Sequence, residues 1–151
     1  MARSGNELGP PVRDRLAYVL KRLHLDLHEL HEQLLAPFGI SAGELAILML
    51  IDARQPESQQ QVAGRLGVDR TTMVSLIDAL QAKGLVARRP DPHDRRRNVI
   101  ELTESGARTL RRATRASDEA EARLLTALTP TEAARLRSLL SRVVRDPEPD
   151  D

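Results

Sequence analysis

The sequence predicts a mainly α-helical protein with one small β-hairpin, a winged helix-turn-helix domain joined to a helical dimerisation domain. Three observations lead there. Apolar residues recur at helical spacing through most of the chain. Two short helices meet at a glycine turn within residues 59–80. Two β-prone runs then follow at once, with arginines crowded between them.

Taken in order, residues 1–11 are rich in Gly and Pro and read as a disordered N-terminus. Over residues 12–36 Leu16, Val19, Leu20, Leu23, Leu27, Leu30 and Leu34 keep a helical period, which Pro37 stops. Ser41-Ala-Gly-Glu44 has the spacing of a capping box and starts a second helix, which runs to the Gln55-Pro56 break. Ser58-Gln-Gln-Gln61 repeats that signal and opens a short helix ending at Gly67, after which Asp69 caps a helix over 70–83 that stops at Gly84. Residues 85–89 and 98–102 are the β-prone runs, with Pro90-Asp-Pro-His-Asp94 in the tip between them. Thr103 caps a long helix expected to reach about residue 128. Thr129-Pro-Thr-Glu132 then begins a last helix, with Leu136, Leu139, Leu140 and Val143 on one face, and residues 146–151 form an acidic tail.

Within residues 59–80 the spacing is specific. A steep crossing of two helices needs a small side chain where the backbones touch, and Ala63 supplies it; Gly67 supplies the turn. On a helical wheel Met73, Leu76, Ile77 and Leu80 cluster inward. Thr71, Ser75 and Asp78 fall on the opposite face, with Arg70 and Thr72 flanking near the N-terminus, where a recognition helix would meet base edges in a major groove. Net charge says little, because 23 Lys+Arg face 22 Asp+Glu; distribution says more. Lys83, Arg88, Arg89, Arg95, Arg96 and Arg97 fall within residues 83–97 against only Asp91 and Asp94. A basic hairpin directly after a helix-turn-helix reads as a wing, whose arginines reach phosphates or a minor groove.

These residues carry a resemblance. Leu66-Gly-Val-Asp-Arg-Thr-Thr72, Gly84-Leu85-Val86 and Asp91-Pro-His-Asp-Arg-Arg-Arg-Asn98, followed by Leu102-Thr-Glu-Ser-Gly106, resemble the MarR family of bacterial transcription regulators over residues 12–145. The resemblance implies Arg70, Thr71 and Thr72 as groove contacts, with Ser75 on the same helix, and Asp94, Arg95 and Arg96, with Arg97, as the wing. Ser75 departs from the pattern, since relatives often carry a basic residue there. It also implies a homodimer on a palindromic operator in double-stranded DNA, repression, and release by a small-molecule effector held between the dimer helices and the winged domain.

Residues 12–36 and 103–145 suggest self-association independently. Leu16, Leu20, Leu23, Leu27 and Leu30, with Leu124, Leu125, Leu128, Leu136, Leu139 and Leu140, are more apolar surface than a winged domain over 41–102 can cover. A two-fold dimer would cover it and set two recognition helices roughly 34 Å apart.

His24, His28 and His31 stand at spacings that share one side of the first long helix and form a possible sensing face. Neither a metal site nor a cofactor is expected, because no cysteine is present and His28-Glu-Leu-His31 lacks zinc-protease spacing. With Tyr18 and Phe38 the only aromatic residues, an effector pocket would be mainly aliphatic, with His and Arg as its polar groups. Nucleophile elbows and phosphate-binding glycine loops are absent from the sequence, so an enzyme is not expected. With no signal peptide or apolar run of about 20 residues, a cytoplasmic protein with no membrane partner is expected. The alternative reading is a winged-helix protein-interaction module without operator specificity.

Overall fold

A computed structural model describes residues 10–53 and 57–144. Its elements are α1 (Pro10–Arg13), α2 (Leu16–Leu35), a 3-10 turn (Ala36–Phe38), α3 (Ala42–Asp52), β1 (Glu57–Ser58), α4 (Gln59–Leu66), α5 (Arg70–Ala82), β2 (Val86–Pro90), β3 (Asn98–Leu102), α6 (Glu104–Leu124) and α7 (Pro130–Val143). The Gln55-Pro56 break, the acidic tail over 146–151 and the expected disorder of residues 1–9 lie outside the described residues.

Four helix starts follow from local chemistry. Ser41, Asp69, Thr103 and Thr129 each hold an extended backbone and accept the N–H three residues on, which satisfies a donor the helix itself cannot. Ser41–Glu44 and Thr129–Glu132 close both halves of a capping box.

Two ends of the long helices differ from expectation. The first is not continuous from residue 12: Pro10 and Pro11, expected to be disordered, open the one-turn α1, and Arg15 is extended before α2 starts. Arg15 makes no side-chain cap, so the apolar period runs through a break that nothing in the sequence marks. At the other end α2 stops at Leu35, ahead of Pro37 as expected, and Pro37 sits in the first turn of the 3-10 segment that follows, where a missing N–H costs nothing. Helix α6 ends at Leu124 rather than near 128, because Pro130 forces Thr129 to be extended, and residues 125–128 form the turn into it.

The sheet has a third strand beyond the expected hairpin. Its order is β1-β3-β2, all antiparallel, with Val86 opposite Leu102, Arg88 opposite Ile100 and Glu57 opposite Ile100. A two-residue strand has no period to detect, so β1 was invisible to patterning.

One core holds the helix-turn-helix. Met73, Ile77 and Leu80 of α5 and Ile47 and Leu48 of α3 are fully buried, with Val62 and Ala63 of α4 and Ile100 of β3 closing round them. Gly67 has φ 61°, the left-handed turn that lets α4 and α5 cross. Helix α2 packs along α6, and its Leu23, Leu27, Leu30 and Leu34 are half-buried there while Leu16, Val19 and Leu20 stay exposed.

Candidate nucleic-acid interface

Helix α5 turns its apolar stripe inward and leaves Arg70, Thr71, Thr72 and Ser75 exposed on one open face. Its N-terminus is tightly organised. The Asp69 carboxylate accepts from the Thr72 N–H at 2.9 Å and from the Thr72 hydroxyl at 2.5 Å. These bonds, the hydroxyl's first, hold the Asp69 carboxyl below the usual carboxylate range.

The wing tip is shaped by its own acids. Asp91 N–H donates to the Arg97 carbonyl and Arg97 N–H to the Asp94 carbonyl, each at 2.9 Å. The Asp91 carboxylate accepts from the His93 N–H at 2.8 Å, and the Asp94 carboxylate from the Arg96 N–H at 3.0 Å. Asp94, assigned to the wing from the sequence, thus folds the loop and is engaged with backbone. Arg95, Arg96 and Arg97 are all exposed, and among the described residues none of the three has an ion-pair partner.

The other cations of that basic run are held within the fold. Arg88 Nη2 meets Asp78 at 2.5 Å and also bonds Gln81, which ties the base of the wing to α5. Arg89 pairs with Glu101 across the β2–β3 ladder at 3.0 Å. Lys83, the C-cap of α5, meets both oxygens of the buried Glu44 at 2.7 and 2.8 Å. Sequence reasoning missed Glu44, Asp78 and Glu101 as partners, although the Ser41–Glu44 box did mark Glu44 as positioned.

Behind the wing, a seam joins α5, β3 and α6. The Thr103 hydroxyl donates to the Gly84 carbonyl at 2.6 Å and accepts from the Gly106 N–H at 2.9 Å, while Thr103 N–H donates to the Leu85 carbonyl at 3.1 Å. A Cβ at residue 106 would stand 1.9 Å from that carbonyl oxygen, so only glycine fits.

The three histidines share a helix but differ in their partners. His24 and His28 stack with ring centroids 6.4 Å apart, and His28 lies 3.4 Å from Glu32. His31 instead turns to α6, 3.0 Å from the Ser117 hydroxyl. Burial lowers its pKa, against the pull of Glu121 and with the push of His28. Among the described residues no group of three His, Cys, Asp or Glu could hold a metal ion, and no single helix is long and apolar enough to cross a membrane.

Two grooves lie where the long helices meet the winged domain. One, of about 360 Å³, has His28, His31, Glu32, Ser41, Glu44 and Lys83 in its wall. The other, of about 590 Å³, lies between α3 and α6 and is lined by Met49, Asp52, Leu110, Arg111 and Arg115 among others. Histidine and arginine are among the polar groups lining the two grooves, and the first also carries the carboxylates Glu32 and Glu44 beside Ala36, Ile40 and Ala42.

Comparison with known proteins adds an independent line. The sequence profile of the MarR family matches residues 40–97. The chain is 28% identical over 99 residues to the HTH-type transcriptional repressor NicR of Pseudomonas putida, a match covering 66% of this chain and 63% of NicR, just under two thirds of that relative's length. Among solved structures, it is similar to the transcriptional repressor CouR bound to a 23-mer DNA duplex, with TM-score 0.85 and 33% identity, covering 92% of this chain and 99% of that one. It is also similar to CouR from Rhodococcus jostii RHA1 bound to p-coumaroyl-CoA, with TM-score 0.79 and 26% identity, covering 94% and 100%.

Proposed function

This chain belongs to the MarR family, and from that premise we propose that it is a homodimeric transcriptional repressor that holds a palindromic operator and releases it when a small molecule binds. The observation that carries the DNA reading is the wing tip. Three exposed guanidinium groups, without ion-pair partners among the described residues, stand on a hairpin whose base is pinned by Asp78–Arg88 to the helix exposing Arg70, Thr71, Thr72 and Ser75. Cations free of protein partners are available to phosphates, and short polar side chains on a helix N-terminus suit base edges. The likeness to CouR on DNA supports the same reading.

Dimerisation through residues 12–36 and 103–145 is supported by apolar surface at both chain ends. Leu16 is 67% exposed and Val143 74%, with Val19, Leu20, Leu139 and Leu140 also open, an arrangement that a second copy would cover. For the effector, the groove beside His28 and His31 is the favoured place. Its Glu44–Lys83 pair joins the start of α3 to the end of α5, so a ligand competing for either charge would loosen the recognition helix at its C-cap. The likeness to CouR bound to p-coumaroyl-CoA supports a small organic effector.

The test is a binding titration of the full-length protein on the DNA flanking its own gene, against random DNA, at several salt concentrations. A repressor binds the flanking DNA selectively and a protein-interaction module binds both alike. Arg70→Ala should narrow the difference between the two DNAs, whereas loss of affinity for both in equal measure would remove α5 as the reader.

A further inference from the structure

The exposed N-terminus of α5 presents a one-sided hydrogen-bonding polarity. A threonine hydroxyl has one proton, and Thr72 gives it to the Asp69 carboxylate at 2.5 Å. The other carboxylate oxygen accepts from Thr72 N–H at 2.9 Å. Both side chains are exposed, so what they offer outward is oxygen lone pairs and the threonine methyl, with no polar hydrogen.

We infer that the Asp69–Thr72 pair is a base-selecting unit that accepts the exocyclic amino group of cytosine or adenine and rejects guanine at the position it faces. The inference rests on α5 being the reading helix. In the major groove cytosine offers N4–H₂ and adenine N6–H₂, whereas guanine offers only the acceptors O6 and N7 and thymine the acceptor O4. An acceptor set against an acceptor gains no hydrogen bond and loses the water each held. Because the Thr72 bonds keep the Asp69 carboxyl below its ordinary range, it remains ionised, and purely an acceptor, throughout the neutral range.

Arg70 stands beside this unit with the opposite polarity, since a guanidinium has donors only. Donor and acceptor sets side by side on one helix turn match a guanine next to, or paired with, the selected cytosine.

The experiment is selection of binding sites from a random duplex library by the full-length protein, its Asp69→Asn variant and its Thr72→Val variant. Asparagine caps a helix about as well as aspartate, so the fold is kept while one oxygen becomes an N–H₂ donor. Wild type is expected to enrich cytosine or adenine about tenfold over guanine at one position of its site, a discrimination of the size one good base contact gives. Asp69→Asn should move that single position toward guanine and leave the rest of the site unchanged. Thr72→Val, which keeps the methyl but loses the hydroxyl oxygen, should weaken the preference there. The same base ranking in wild type and Asp69→Asn overturns the inference; if Asp69→Asn proves unstable, an unchanged ranking in Thr72→Val overturns it. Wild type that selects no sequence overturns the operator reading on which the inference rests.

Discussion

The ammonium of Lys83 is chelated by both oxygens of the Glu44 carboxylate, at 2.7 and 2.8 Å, across 39 residues of sequence. Glu44 is 4% exposed and also accepts from the Ser41 N–H at 2.8 Å, so one carboxylate closes the start of α3 and anchors the end of α5. Lys83→Met should therefore leave a buried charge without its cation and lower stability by about 2 kcal/mol, the partial exposure of Lys83 softening a larger penalty. Chemical denaturation measures it. A wild-type midpoint would mean that the pair contributes nothing.

Asp78–Arg88 should behave differently. Asp78 is half in water, so breaking the pair with Asp78→Asn should cost less than about 1 kcal/mol of global stability. The wing base would nevertheless lose its tie to α5, so DNA affinity should fall more than stability does. Faster amide exchange in residues 86–102 with an unchanged melting midpoint is the expected signature.

For the wing tip, Arg95→Ala and Arg96→Ala should each weaken binding to operator and random DNA alike and reduce the slope of log affinity against log salt by about 1. Circular dichroism should stay that of wild type, because both side chains are exposed. Unaltered slopes in both variants would take the wing out of the DNA contact.

His31 links pH to stability. Burial lowers its pKa, with Glu121 and Ser117 of α6 and His28 of α2 facing it, so the folded state resists a proton that the unfolded chain accepts. The sign follows: nothing changes well above the ordinary value of about 6.5, and stability is lost as pH falls below it. His31→Gln should flatten the fall between pH 7 and pH 5.5. If His24→Gln flattens it equally, burial of His31 is not the cause.

Gly106→Ala should be the most damaging small substitution near the site. Its Cβ would meet the Leu85 carbonyl oxygen at 1.9 Å, and the backbones of α6 and the Gly84–Leu85 turn must part to admit it. A loss of about 3 kcal/mol is expected by thermal or chemical unfolding. Ala107→Gly, one residue on, should cost only about 1 kcal/mol, the ordinary helix penalty.

What was legible in the sequence was local. Capping residues announce themselves because their bonds span three residues, and Asp69, Thr103 and Thr129 all cap as their spacing predicts. The open face of α5 follows from a 3.6-residue period. What was not legible was pairing at a distance. Lys83, Arg88 and Arg89 look as available as Arg95, Arg96 and Arg97 in a one-dimensional count, yet folding brings Glu44, Asp78 and Glu101 to the first three. Helical spacing sets the shared side of the histidines but not their partners: Ser117, 86 residues on, meets His31, while His24 and His28 stack on each other. The breaks at Arg15 and Leu124 fall within an unbroken apolar period, which therefore does not mark them.

The wing tip closes through backbone bonds and the carboxylates of Asp91 and Asp94, and among the described bonds the arginine side chains take no part in that closure. Guanidinium groups can therefore be gained, lost or exchanged there without refolding anything, while the Thr103–Gly106 seam a few residues later tolerates almost no change. Descendants of this chain can therefore raise or lower their overall grip on DNA by single changes at the hairpin tip, on a frame that stays fixed.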